Sequence, residues 1–316
     1  MLSLRLSAWA FSTIVSGCAS IAQDPLPLPA LHPLEVAPRV YAVIGDLGPQ
    51  TAENEGFNAN VGFVVTSAGV IVIDSGPSER FAAALHAAIR RSTTQPVKLV
   101  INTNGQAHRW LGNAYFERLG VPIVAQRKAL QQMRNDGGTQ LEMTRALLRE
   151  RSRSTALALP GDSFDARRIV RLGDMELQFL HFGPAHTPGD SMVWMPQSRV
   201  LFAGDIVYTE RLLAVLPISS TKGWLEAFDR VAALAPEIIV PGHGAPATLA
   251  RAETETRQYL VLLRNHAKRL LDAGATLADG PRRIDQTGFR HLENFEALAA
   301  RNANQVFIEI ERELFE

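Results

Sequence analysis

Two β-rich stretches, each followed by amphipathic helical sequence, constrain this chain more than any other feature. In the first, residues 40–44, 62–66 and 70–73 are β-branched runs separated by turn residues, with Ser67-Ala68-Gly69 connecting the last two. Residues 78–91 then space Phe81, Leu85 and Ile89 at helical intervals, with Ser78 available as N-cap. A buried strand at 97–101, a polar turn at 102–107 and a helix from about Arg109 to Leu119 complete this half. Residues 127–158 read as a charge-rich helical insertion over the sheet edge, interrupted near Gly137-Gly138. In the second half, strands are expected at 169–172, 175–182, 192–195, 200–203 and 238–240, with a helix at 223–234 and further helices from Ala247. The fold class is therefore α/β, and the pattern predicts a four-layer αββα sandwich rather than a doubly wound parallel sheet.

Length and charge narrow the function. A chain of 316 residues, 46% hydrophobic, buries an ample core, and its 32 basic and 32 acidic side chains balance. No global field steers it to nucleic acid, so a small-molecule substrate is the expected partner. Cys18 is the only cysteine, which excludes an intrachain disulfide, a thiolate metal site and a redox pair. Any metal must be held by nitrogen and oxygen.

The N-terminus reads as an export signal spanning residues 1–22. Arg5 precedes an apolar stretch at 6–15 that is too short to span a bilayer. Val15-Ser16-Gly17-Cys18 fits a bacterial lipoprotein signal, with Cys18 acylated and attached to the membrane; ordinary cleavage after Ser20-Ile21-Ala22 is the alternative. Either route implies a periplasmic or membrane-anchored location in the bacterial envelope. Residues 23–39, rich in proline, are expected to be an extended tether, and the folded domain to run from 40 to 316.

Three segments carry candidate chemistry. Gly183-Pro184-Ala185-His186-Thr187-Pro188-Gly189-Asp190 sets His186 in a loop stiffened by two prolines. Phe202-Ala203-Gly204-Asp205 puts Asp205 just past a hydrophobic strand, where a bare carboxylate is costly unless a cation or hydrogen bonds meet it. Val240-Pro241-Gly242-His243-Gly244 does the same for His243. A lone loop histidine is more often structural than a ligand, but three such segments in series point to one shared cation.

With Ile71-Val72-Ile73-Asp74-Ser75-Gly76, these segments resemble, in order and distance, the signatures of the metallo-β-lactamase superfamily over about residues 40–248. The 183–190 loop, Leu111-Gly112-Asn113 and Arg301-Asn302 are most similar to its exported branch of quinoprotein relay system zinc metallohydrolases. The resemblance implies a metal site at one edge between the two halves and hydrolysis by a metal-bound hydroxide. Where the family carries His-x-His-x-Asp-His, this chain has Asn104, Gln106, His108 and Arg109, so all four of those ligand positions are changed. Neutral amides are poor zinc ligands and arginine stays protonated, so the usual dinuclear site cannot form.

A mononuclear centre is the expectation that follows. His108, His186, Asp205 and His243 are the candidate ligands of one zinc ion, and His108, Arg109 and Asp205 the candidate catalytic residues, with Arg109 holding an anionic substrate group or oxyanion. Asp74 reads as a structural residue orienting the loops. The activity implied is hydrolysis of an ester, lactone, thioester or lactam. The alternative is a catalytically inactive binding protein of the cell envelope, with His108 and Arg109 exposed remnants at a helix start. Residues 45–60 are placed as a flap, and Trp110 and Tyr208 flank the site as packing or substrate contacts. His32, His86, His181, His266 and His291 read as ordinary polar positions.

Overall fold

The computed structural model of the chain describes residues 27 and 29–315. The expected export signal at residues 1–22 and Cys18 lie outside them. Twelve strands form two sheets among the described residues. The first contains β1 (Leu34–Ala37), β2 (Val40–Val43), β3 (Val61–Thr66), β4 (Gly69–Ile73), β5 (Val97–Asn102), β6 (Ile123–Gln126) and β7 (Asp162–Phe164), in that spatial order. The second contains β8 (Arg167–Leu172), β9 (Met175–Leu180), β10 (Met192–Met195), β11 (Val200–Tyr208) and β12 (Ile238–His243), ordered β12-β11-β10-β9-β8.

Side-chain alternation along the strands builds the layers. Val64, Ile71, Ile73 and Ile101 of the first sheet meet Phe179, Val193, Phe202 and Val240 of the second in a core between the sheets. The opposite faces turn outward to helices. Val70 and Val72 pack on Phe81, Leu85 and Ile89 of α1 (Glu79–Ser92), whose first turn is capped by Ser78 accepting from Phe81 N at 3.1 Å. After the short helices α2 (Ala107–Trp110), α3 (Asn113–Arg118) and the long α4 (Arg127–Leu148), the chain covers the second sheet. There Leu201, Ala203 and Ile239 pack on Trp224 and Phe228 of α5 (Thr221–Leu234). The same layer takes in α6 (Leu249–Ala252), α7 (Gln258–Asp272) and α8 (Phe295–Glu313), the last two through Leu263 and Phe307. The αββα sandwich is the observed architecture.

The structure corrects three sequence expectations. The folded domain starts before residue 40: Leu34–Ala37, a proline-free window between Pro33 and Pro38, keeps its backbone donors and pairs antiparallel with β2. The helix expected from Arg109 to Leu119 is two helices, α2 and α3, broken at Leu111-Gly112. Helix α4 runs through Gly137-Gly138 without interruption. Its Gly137 is a packing residue, since a Cβ there would stand 3.1 Å from the Trp110 ring. Trp110 is itself fully buried and donates from Nε1 to Gln140 at 2.8 Å, so it belongs to the core and not to a substrate surface.

Candidate metal centre

The C-terminal ends of β4, β5, β11 and β12 meet at one edge of the sandwich and deliver Asp74, the 102–110 turn, Asp205 and His243. Asp205 lies within β11 and His243 ends β12, because both strands run further than their apolar runs suggest. Tyr208 pairs with His243 in the parallel ladder, and its ring stacks on the imidazole at 4.8 Å between centroids and 17° between planes. A π-helical turn, Glu253–Arg257, fixes that tyrosine: Thr256 Oγ1 accepts from Tyr208 N at 3.0 Å and donates to Tyr208 O at 2.6 Å.

His108, Asp205 and His243 converge. One ligand atom from each lies within 4.8 Å of the others, the metal-competent cluster found among the described residues. His243 Nε2 is 3.3 Å from Asp205 Oδ1, and His108 Nε2 is 3.9 Å from Asp205 Oδ2. Ligand atoms on a tetrahedral zinc stand about 3.3–3.4 Å apart, given bonds of about 2.0–2.1 Å.

Two features show that this donor set fits a cation. His108 Nε2 is buried without a hydrogen-bond partner. His243 Nδ1 stands 2.5 Å from Asn58 O, a contact that requires the proton on Nδ1. Its Nε2 therefore turns a lone pair toward the Asp205 carboxylate, and two acceptors face each other unless a cation lies between them. Burial, offset only in part by Asp205, pushes the His243 pKa down to about 3, so the imidazole is neutral and able to ligate at ordinary pH. Burial lowers His108 as well, again against the pull of Asp205.

His186 stands outside this cluster. Its Nδ1 is 2.8 Å from Ala214 O and its Nε2 is 3.0 Å from the Gln106 side chain. Amide side chains at 104 and 106 tie His186 into a hydrogen-bond network. Asn104 Nδ2 donates to Asp205 Oδ2 at 2.6 Å and to Asp190 Oδ1 at 3.2 Å, and Asn104 Oδ1 accepts from Gln106 N at 2.9 Å. Of the four ligands expected from the sequence, His108, Asp205 and His243 lie together and His186 lies outside that cluster.

Arg109 is also relocated, from an exposed or substrate-facing position to the interior, where it is 1% exposed. Nε donates to Asp205 Oδ2 at 3.0 Å and Nη2 to Asp205 Oδ1; Nη1 donates to Asp74 Oδ2 at 2.9 Å. The two remaining N–H groups reach Asn60 O at 3.3 Å and Gly242 O at 3.4 Å. All five guanidinium donors are thereby engaged, and none is left for a substrate or an oxyanion. Burial alone would raise the Asp205 pKa, but the Arg109 charge overrides it and holds the carboxyl well below the usual range.

Asp74 has the structural role read from the sequence. Its carboxylate accepts from Thr103 N and Oγ1, both at 2.7 Å, and pairs with Arg109. Asn60, placed by sequence on a flap, is instead a strut: Nδ2 donates to Pro241 O at 2.9 Å and Gly244 O at 2.7 Å. Sequence reasoning passed over Arg211, whose Nη1 lies 3.4 Å from His243 Nδ1 and donates to Gly48 O at 2.9 Å. Its only signal was a charged residue three positions after a fully buried strand.

Comparison with known proteins places this geometry in context. A family model described as the metallo-beta-lactamase superfamily matches residues 54–243. The chain is 24% identical over 247 residues to a linear primary-alkylsulfatase of Pseudomonas sp. (strain ATCC 19151), covering 66% of this chain and only 46% of that protein's length. It is 25% identical to a type 2 metallo-beta-lactamase of Elizabethkingia meningoseptica, over 59% of this chain and 69% of that one. The solved metallo-beta-lactamase from Pontibacter korlensis superposes with a TM-score of 0.60 at 20% identity, covering 73% of this chain and 99% of that one, a likeness of fold.

Proposed function

The chain belongs to the metallo-β-lactamase superfamily, and from that premise we propose that it is a hydrolase working with a single divalent metal, zinc, held by His108, Asp205 and His243. The observation that carries this reading is the pair of imidazole nitrogens, one without a hydrogen-bond partner, aimed at one carboxylate. A bound zinc ion supplies Lewis acidity and acidifies a water toward neutral pH.

The chain's own residues set the ligands and exclude alternatives. Asn58 O fixes the His243 tautomer, and Tyr208 fixes the ring plane. Arg109 and Asn104 hold the Asp205 carboxylate ionised and oriented. Arg109 also supplies positive charge where its relatives are expected to hold a second metal. We propose an ester, lactone, thioester or lactam as substrate, consistent with an alkylsulfatase and β-lactamases among the relatives. The first 22 residues we propose as an export signal, with Cys18 acylated. No helix among the described residues is long and apolar enough to cross a membrane.

The test combines metal analysis with turnover. The protein should retain about one equivalent of zinc after dialysis and hydrolyse at least one member of a panel of these four substrate classes, with activity lost on chelation and in His243→Ala. Less than about a tenth of an equivalent of zinc, together with no chelator-sensitive turnover, would discard the reading. A second reading, an inactive envelope binding protein, draws on one observation: Arg109 and Asn104 already compensate Asp205 without a metal. It predicts that zinc uptake appears only after His-x-His-x-Asp-His is restored at Asn104, Gln106, His108 and Arg109.

A further inference from the structure

His243 reaches the metal centre on a peptide with little stiffness of its own. Glycine flanks it on both sides because nothing larger fits: a Cβ on Gly242 would press on Asp205 Oδ1, and one on Gly244, whose φ is +96°, would press on Thr209 O. Such a Gly-His-Gly run has a permissive backbone, whereas a metal ligand must be held to within about 0.5 Å and about 10–20°. The stiffness comes from Asn60, in the other half of the fold, at the entry to β3. Asn60 N donates to Gly242 O at 2.8 Å, and its Nδ2 donates to Pro241 O at 2.9 Å and to Gly244 O at 2.7 Å. His243 O, the remaining carbonyl of the turn, accepts from Thr209 N at 3.0 Å. Asn60 thus takes the carbonyls on both sides of the ligand.

Asn60 is itself fixed. It is 4% exposed, its Oδ1 accepts from Gly45 N at 3.0 Å, and its carbonyl accepts from Arg109 Nη1 at 3.3 Å. The segment has no slack, since a Cβ on Gly45 would stand 2.6 Å from Ala59 N. Two residues earlier, Asn58 O meets His243 Nδ1 at 2.5 Å, so residues 58–60 hold the imidazole by its ring and by its backbone. We propose that Asn60 is a positioning residue of the metal site: the two donors of its amide straddle His243 and aim its Nε2 at the Asp205 carboxylate, so a side chain that touches no metal sets the metal affinity. Through Arg109, the Asn60 carbonyl also joins the support of Asp205, the second ligand. The word ligand rests on the zinc reading above; the placement of the His243 ring does not.

The experiment compares native protein, Asn60→Asp and Tyr259→Phe in two measurements. Competition with a chromophoric chelator gives the zinc affinity, and NMR of isotope-labelled histidine gives the exchange rate of the His243 ring Nδ1 proton in the metal-free protein. Asn60→Asp keeps the shape of the side chain but replaces both amide protons by an oxygen facing Pro241 O and Gly244 O. Tyr259→Phe is the control for lost stability, because it deletes buried hydrogen bonds to Gln286 and Asn302 in the C-terminal layer. Asn60→Asp should weaken zinc and speed the ring-proton exchange, each by at least about tenfold, while Tyr259→Phe lowers the melting temperature and changes neither. A smaller change in either quantity in Asn60→Asp, or equal changes in Tyr259→Phe, overturns the proposal. Should Asn60→Asp fail to fold, Asn60→Ser, which keeps one hydroxyl donor, is read against the same thresholds. Should the native protein hold no zinc, the zinc reading falls and the exchange comparison alone decides the role of Asn60.

Discussion

Arg109 grips Asp205 through two parallel hydrogen bonds while its third nitrogen reaches Asp74, so one guanidinium bridges two buried carboxylates. Removing the bridge strands both acids. Arg109→Gln should lower the unfolding free energy of the metal-free protein by about 3–5 kcal/mol in urea denaturation, the loss typical of a broken buried pair. Arg109→Lys should recover less than half, because a point charge cannot reproduce the fork. A loss below about 1 kcal/mol in Arg109→Gln would show that the bridge is not what holds the site.

Gly242 lies where the two strand ends crowd the ion pair. A Cβ there would stand 2.7 Å from both Arg109 Nη2 and Gly204 O and press on Asp205 Oδ1. Gly242→Ala should therefore destabilise by about 1–3 kcal/mol and weaken zinc binding at least tenfold without touching a ligand. Gly138→Ala is the matched control. With nothing within 4 Å of its added Cβ, it should stabilise helix α4 by up to about 1 kcal/mol. Competition titration against a chromophoric chelator reads the zinc affinity, and unchanged affinity in Gly242→Ala contradicts the packing argument.

Asp190 gives a pH dependence with a definite sign. Its buried carboxyl, repelled further by Asp205, is raised from 3.8 to about 6. The folded form keeps a proton that the unfolded form releases between those values, so this stabilisation is complete below about pH 4 and is lost as pH rises through about 6. Between pH 4 and 7 the native metal-free protein should lose on the order of 2–3 kcal/mol relative to Asp190→Asn, the equivalent of about two pKa units. Parallel stability profiles for the two proteins would contradict it.

Much of the fold was legible because strand alternation and helical spacing are local. Val70, Val72, Ile71 and Ile73 announce a two-faced strand, and Ser78 announces a helix start; both lie where expected. What stayed hidden depended on distant partners. Gly137-Gly138 reads as a break until the Trp110 ring, which needs the missing side chain, is brought against it. Arg109 reads as exposed because its burial needs carboxylates 35 and 96 positions away. His186 sits in a family-like loop, yet its surroundings depend on residues 104 and 106, and the Gln106 amide there meets its Nε2 at 3.0 Å. Arg211 carries no motif at all; its place beside His243 depends on Gly48, 163 positions away.

The central claim is that two imidazoles and one carboxylate, with His186 left out, make the metal centre. Zinc K-edge X-ray absorption on protein loaded with one equivalent tests it most directly, alongside the same measurement on His186→Ala. The expected spectrum shows two histidine nitrogens among oxygen or nitrogen neighbours at about 2.0–2.1 Å, unaltered in His186→Ala. A third imidazole that disappears in His186→Ala, or a shell without histidine, would contradict it.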